Sequence, residues 1–340
     1  MVAIYLSIGC LFVPIGAKCL LTTRAVVEVS QRYDNLPACS AAFRAAQAGA
    51  LPADPTACTV SLVVPRDMKP PVFVYYGIDK MYANHRRFVL SRSDYQLAGT
   101  LAAASAADQA SYLKPCKPQL YASVASTAAN GSVTNVSTPV IMPCGLAAWA
   151  YFNDTYSFVL QPATPGTCAA GLSPLPNAQC NMTGAVSATG LAFNTDLTTR
   201  FAARDPPVHF NDNATARGGG ALAVQRLSAD ERFVGWMRTP ALSTFRKLWG
   251  RMDGVTLRAG DVVTVAVGNN WNSYGFGGAK TLVLSTSSWL GGANDFIGIA
   301  YLSVGALCLV LGLAFAALAA LKERRLGDPA LFSWNKAKQR

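Results

Sequence analysis

The stretch FIGIAYLSVGALCLVLGLAFAALAAL, residues 296–321, decides the architecture. It is free of charge from end to end. As a helix it extends about 39 Å at ~1.5 Å per residue, enough to cross a hydrocarbon layer of about 30 Å with some tilt. A buried helix of a soluble protein rarely runs so far without a polar face. A second apolar run, VAIYLSIGCLFVPIGAKCLLTT at 2–23, carries Lys18 as its one charge. Lys18 stands near the far end, where its stem can reach the interface. A cleaved signal peptide has a basic opening and a small-residue cleavage site. Neither precedes Arg24, so the run reads as an uncleaved span.

Two spans place both termini on one side of a membrane and residues 24–295 on the other. The tail, 322–340, carries Lys322, Arg324, Arg325, Lys336, Lys338 and Arg340 against Glu323 and Asp328. The cluster abutting the second span marks that side as cytoplasmic. The intervening loop is then lumenal or extracellular. The chain is 51% hydrophobic and 14% charged, against roughly 25% charged for soluble domains, which agrees with membrane insertion. The net charge of +11 is divided among that tail, Lys18 and diffuse loop positions, so it does not form a nucleic-acid footprint.

Cysteines and sequons point to the same side. Cys10, Cys19 and Cys308 lie within the spans and read as small packing residues. The loop holds Cys39, Cys58, Cys116, Cys144, Cys168 and Cys180. An even number in a translocated domain reads as disulfides, with 15 possible pairings, of which the sequential one is simplest. No two lie two to four apart, the spacing a zinc site uses. Five acceptors of the form Asn-x-Ser/Thr stand at Asn130, Asn135, Asn153, Asn181 and Asn213. They predict a glycosylated ectodomain.

Within the loop, VFVYY at 72–76, DVVTVAV at 261–267 and KTLVLST at 280–286 are β-branched and aromatic and predict strands. Residues 34–71, 100–140 and 160–190 are rich in small residues and proline and read as irregular or glycosylated loops. The fold expected is a β-rich α+β ectodomain, one unit, flanked by two transmembrane helices. The segment SADERFVGWMRTPALSTFRKLWGRMDG, 228–254, opens on a capping box of Ser228 and Glu231, and Pro240 breaks or restarts any helix begun there. Its aromatics read first as local core. Trp236, Arg238, Arg246 and Arg251 are also candidates for a partner contact, because basic and aromatic residues alternate. Gly298, Gly305 and Gly312 recur every seven residues on one face, as do Gly9 and Gly16. Such faces let another helix approach closely, whether the chain's own or a partner's.

Enzyme chemistry is not indicated. His85 and His209 lack a neighbouring acid. Glu28, Glu231 and the scattered aspartates form no motif, and GFGGAKT at 275–281 lacks the glycine that precedes the lysine of a phosphate loop. No cofactor or metal is expected.

Several long blocks, in order, resemble the β-subunits of type IV P-type ATPases, the lipid flippases: FVPIGAK around Pro14 and Gly16, VYYGIDKMYANHRRFVLSRSDYQLAG, PCGLAAWAYFNDT, RFVGWMRTPALSTFRKLWGR, SWLGGANDFIGIAYLSVGALCLVLG and LGDPALFSWN. The resemblance implies a noncatalytic subunit in a heterodimer with a catalytic ATPase, in contact with membrane lipids. It implies help in leaving the endoplasmic reticulum and residence in the endomembrane system or plasma membrane. It places a glycan on Asn153 and bridges at Cys116–Cys144 and Cys39–Cys58. A Cys168–Cys180 bridge follows from parity alone. Family members carry a cytoplasmic tail before the first helix, whereas Met1 here stands at the helix itself, which implies a shortened end or the loss of that contact. The rival expectation is a stand-alone receptor or adhesion protein with the same topology.

Overall fold

The structure, a computed structural model, describes residues 2–47, 58–122, 124–127, 133–137, 139–164, 168, 171–202, 210 and 230–321. The chain divides into two compact units, one built from its ends and one from Val27–Thr286.

The first unit is a helix pair. Helix α1 covers Val2–Arg24 and α8 covers Phe296–Leu321, both long and apolar enough to cross a membrane. Aromatic edges join them, Phe12 against Tyr301 at 5.1 Å and Tyr5 near Phe315 at 5.7 Å.

The second unit is sheet-rich. Its strands are β1 (Glu28–Arg32), β2 (Thr59–Val63), β3 (Val72–Asp79), β4 (Val124–Thr127), β5 (Val133–Ser137), β6 (Thr155–Gln161), β7 (Ser173–Leu175), β8 (Gln179–Asn181), β9 (Phe245–Met252), β10 (Val262–Gly268) and β11 (Ala279–Ser285). Among them lie α2 (Pro37–Gln47), α3 (Arg86–Leu90), α4 (Asp94–Leu97), α5 (Ala106–Leu113), α6 (Leu146–Trp149) and α7 (Glu231–Met237). One antiparallel sheet has the order β1-β11-β3-β9, a second β2-β10-β6-β8-β7, and β4-β5 form a hairpin.

Alternation explains the strands. Val72, Val74, Tyr76 and Ile78 turn one way from β3, while Val263, Val265 and Val267 do so from β10 and Tyr156, Phe158 and Leu160 from β6. Residues two apart share a face, and these faces meet in a single core. Each large side chain buried there contributes about 1.5–3 kcal/mol.

The expected strands at 72–76, 261–267 and 280–286 are present, at slightly different bounds. Other expectations are corrected. Residues 34–71 contain α2 and β2, and 160–190 contain the end of β6 with β7 and β8. The segment after Pro240 is strand β9, paired with β3. Its register shifts between Val74 and Tyr75, so Trp249 is an extra residue opposite that step. Such a bulge re-aims a side chain. Trp249 lies edge-on to Tyr156 at 5.0 Å and under the Arg232 guanidinium at 3.7 Å.

Candidate functional site

In the helix pair, the glycines are consumed within the chain. A Cβ on Gly16 would lie 2.8 Å from the Leu302 amide nitrogen, and one on Gly298 2.9 Å from the Leu20 amide nitrogen. Gly9 faces Leu309 and the Gly305 carbonyl, and Gly312 faces Leu6. Gly298, Gly305 and Gly312 are thus the surface on which α1 lies. At one end of the pair, Asp295 accepts from Thr23 Oγ1 at 3.0 Å and Arg24 Nε at 3.2 Å.

The ectodomain is organised around a buried ion pair that sequence reading missed. Lys280 on β11 donates from Nζ to Asp154 Oδ2 (2.6 Å), Asn269 Oδ1 (2.5 Å) and the Trp271 carbonyl (2.6 Å). Both side chains are fully shielded from solvent. Asp154 also accepts from Tyr33 Oη at 2.6 Å and from the Asn270 and Trp271 amides at 2.7 and 2.5 Å. Every strong hydrogen-bonding position of the pair is therefore used, which is what makes a buried pair tolerable. Burial pulls the Lys280 ammonium below its ordinary range, and Asp154 opposes that pull. Burial, reinforced by Asp154, pushes the Tyr33 and Tyr156 phenols well up, so both stay neutral donors.

This pair ties β11, the entry to β6 and the loop after β10 to one point. It sits beside the sequon: Asn153 is half-buried and Thr155 exposed, and Asn270 Nδ2 donates to the Asn153 carbonyl at 3.2 Å. Asn181 is exposed at the end of β8, with Oδ1 accepting from the Thr183 amide at 3.0 Å. Asn135 lies on β5. Asn130 and Asn213 fall outside the described residues, as do Ser228, His209 and the basic tail.

The cysteines pair sequentially, Cys39–Cys58, Cys116–Cys144 and Cys168–Cys180. Around the second bridge, Gln96 is buried, accepting from the Cys144 amide at 2.7 Å and donating to the Ile141 carbonyl at 2.9 Å. Gly145 follows at φ +102°. The PCG stretch is thus a fastening of α6 to the end of α3.

The candidate contact segment divides by burial. Trp236 is 5% exposed and donates from Nε1 to the Ala147 carbonyl at 2.8 Å, so it serves the domain's own core. The capping box is corrected too. Asp230 caps α7, accepting from the Arg232 and Phe233 amides, while the Glu231 carboxylate accepts from the amides of Gly190, Leu191 and Ala192 at 2.6–3.0 Å. Arg238 pairs with the buried Asp196 at 2.6 Å, Arg246 with Glu28 at 2.7 Å and Arg251 with Asp253 at 2.9 Å. Leu242 stands 70% exposed between them. Beside Arg238, a cleft of about 570 Å³ is lined by Arg92, Asp94, Asp196 and Arg200. His85 caps α3, its Nδ1 accepting from the Arg87 amide at 3.3 Å, which is a structural role.

Lys247 gives a pH signature. It donates to the Gly235 carbonyl at 2.9 Å and to the Arg238 carbonyl. Burial, then the Arg238 charge, pull its pKa down to about 8. In the unfolded chain lysine titrates near 10.4, so between about pH 8 and 10 the unfolded state binds more protons and stability rises with pH. Thermal unfolding of the full chain in detergent should shift upward from pH 8 to 9.5, and Lys247→Met should shrink that shift. An equal shift in the variant would refute the assignment.

Comparison with known proteins places these features in context. The profile of the LEM3 (ligand-effect modulator 3) family / CDC50 family matches residues 19–325. The chain is 37% identical over 338 residues to ALA-interacting subunit 3 of Arabidopsis thaliana, covering 98% of this chain and 84% of that protein. It is 31% identical over 331 residues to cell cycle control protein 50A of Bos taurus, covering 91% and 80%. It is 29% identical over 284 residues to the phospholipid-transporting ATPase accessory subunit LEM3 of Saccharomyces cerevisiae, covering 82% and 61%.

Proposed function

The chain belongs to the LEM3 (ligand-effect modulator 3) / CDC50 family, and from that premise we propose that it is the accessory subunit of a phospholipid-transporting type IV P-type ATPase. The observation that carries this reading is the match along 98% of the chain to a protein named as an interacting subunit, joined to a relative named as an ATPase accessory subunit. The chain itself is noncatalytic in this reading, and nucleotide and lipid are handled by the partner.

The geometry suits that role. Two apolar helices lock on each other through glycine, so the pair is a preformed unit for a membrane partner. The ectodomain is held by three disulfides and a saturated buried ion pair. Bridges closing 12 to 28 residues of sequence separation stabilise by about 3–4 kcal/mol each through the unfolded state. Such a domain meets its partner already ordered, which lowers the entropy cost of binding. In our reading both termini are cytoplasmic, the ectodomain is lumenal and carries glycans at the Asn-x-Ser/Thr sites, and the complex leaves the endoplasmic reticulum together. The partner contact includes Arg238, Leu242 and Arg246 at the rim of β9.

The test is a pull-down of the tagged full chain from mild detergent with mass spectrometry. A P-type ATPase at near-equal amount is expected. Recovery of the glycosylated chain alone at the cell surface would favour the receptor reading. Within the complex, Leu242→Asp with Arg246→Glu should lower the recovered ATPase about tenfold. Unchanged recovery would remove this rim from the contact.

A further inference from the structure

The segment that leads from β11 into α8 carries no charge: Lys280 and Asp295 enclose residues 281–294, none of them acidic or basic. From Ser287 onward it belongs to the same compact unit as the helix pair. Within it, Ser288-Trp289-Leu290-Gly291 closes a tight turn. Ser288 and Gly291 exchange both backbone hydrogen bonds, at 2.8 and 3.0 Å. The Ser288 hydroxyl donates to the Gly291 carbonyl at 3.0 Å and accepts from the Leu290 amide at 3.3 Å. Gly291 has φ +110°, a conformation that residues with a Cβ seldom adopt. The turn is thus fixed by its own residues, and those polar groups are spent inside it. What it presents outward is apolar. Trp289 is 73% exposed, more than any other large apolar side chain outside the two helices among the described residues.

A single exposed apolar side chain on a soluble surface says little, but this one stands next to a span. Asp295 and Arg24 pair at 3.2 Å with both side chains partly exposed. Such an ion pair belongs in water or among headgroups, so the hydrocarbon boundary lies on the α8 side of Asp295. Phe296, the first residue of α8, is itself well exposed. From Gly291 to Phe296 the chain advances five residues, at most about 18 Å at ~3.6 Å each. The headgroup layer is about 5–8 Å deep on each side of the hydrocarbon, so the turn is tethered close to it with α8 intact. Tryptophan concentrates in that layer because its ring is apolar while its Nε1–H takes an oxygen acceptor. A turn that bonds its own backbone loses little by leaving water.

We propose that the Trp289–Leu290 turn is a lipid-binding site. It inserts into the headgroup layer of the leaflet on the ectodomain side and adds an interfacial anchor to the two spans. Its ligand is a phospholipid surface, held by apolar contact and by the indole N–H on ester or phosphate oxygens. Residues 281–294 offer no charged side chain to read a headgroup, so the site takes zwitterionic and anionic lipids alike. The proposal needs only the two spans and stands apart from the accessory-subunit reading.

The experiment uses the full chain reconstituted in phosphatidylcholine vesicles, with plain acyl chains or with chains brominated close to the headgroup. The chain has six tryptophans, so the Trp289 emission is read as the difference between the parent and Trp289→Phe. Bromolipid is expected to quench that emission about twofold or more, and replacing part of the lipid by phosphatidylserine should leave the quenching unchanged. Emission that bromolipid leaves untouched would overturn the anchor, whether or not acrylamide reaches the indole from water. Quenching that changes with phosphatidylserine would overturn the apolar mode of binding. A second measurement avoids the subtraction. An environment-sensitive fluorescent residue at Leu290 should emit at shorter wavelength in vesicles than the same residue at Leu242, which stands exposed on the ectodomain. Equal emission at the two positions would overturn the insertion. The bromolipid measurement is repeated on the complex with the ATPase that co-purifies. Retained quenching is expected, and its loss would mean that the turn is covered by protein rather than lipid. Failure of any ATPase to co-purify would count against the subunit reading and leave the result in vesicles standing.

Discussion

Asp154→Asn is expected to lower the stability of the chain by about 3–5 kcal/mol and yet leave its glycosylation acceptor intact. The variant reads Asn153-Asn-Thr155, still a sequon, so the substitution separates two roles that share three residues. Its Oδ1 retains the capacity to accept from the Asn270 and Trp271 amides. What it cannot do is neutralise Lys280, which is fully buried. An uncompensated buried ammonium is costly, far more than a lost surface pair. The measurement is thermal and denaturant unfolding of the full chain, with a glycosidase mobility shift on the same samples. Asn153→Gln is the converse control, losing the glycan site and keeping the pair. Adding Lys280→Met to Asp154→Asn should restore much of the loss, because the orphaned charge goes with it. A single Asp154→Asn variant within 1 kcal/mol of the parent would show that the pair is not the domain's electrostatic centre.

The second large effect is expected at Gly145→Ala. Gly145 has φ +102° and ψ 160°, a region open essentially to glycine alone. Its missing Cβ matters as much, since one built there would lie 2.1 Å from the Ser91 carbonyl oxygen. That oxygen cannot simply retreat. The Ser91 carbonyl accepts from the Ala147 amide at 3.3 Å, and the Ser91 hydroxyl accepts from the Leu146 amide at 2.9 Å while donating to the Cys116 carbonyl at 3.3 Å. The strain and the clash together should cost roughly 3–5 kcal/mol, or about 10 °C in Tm for a domain of this size. Gly171→Ala is the comparison: φ is +86° and, among the described residues, nothing lies within 4 Å of the added carbon. It should cost about 1 kcal/mol, near the low end of backbone strain alone. Equal losses at the two positions would refute the close-approach argument.

Much of the architecture was legible in the residues. Strands β3, β10 and β11 announce themselves because each is a run rich in β-branched, aromatic and other apolar residues. Strand β9 does not, because FRKLWGRM mixes bases with aromatics and its pairing depends on β3 and on a bulge. Strands β1 and β2 are short and polar on one side, and only their neighbours, β11 and β10, make them strands. In the segment around Trp236, composition could not distinguish an aromatic buried against Ala147 from an exposed Leu242, since burial is a property of the whole packing. Glu231 illustrates the same limit: its spacing suggests a local cap, and its carboxylate instead serves amides some forty residues earlier.

The chain by itself determined those features that depend on local quantities. The length of an uncharged run decides whether a helix is long enough to reach across a bilayer, and the even number of cysteines in the loop points to bridges. Only the tertiary structure decided which charges are buried, which glycines meet and which side of α1 remains free. Lys280 and Asp154 are 126 positions apart, and neither residue type predicts burial. Their pairing exists because β11, the entry to β6 and the loop after β10 converge, and a convergence of distant segments leaves no periodic trace in any one of them.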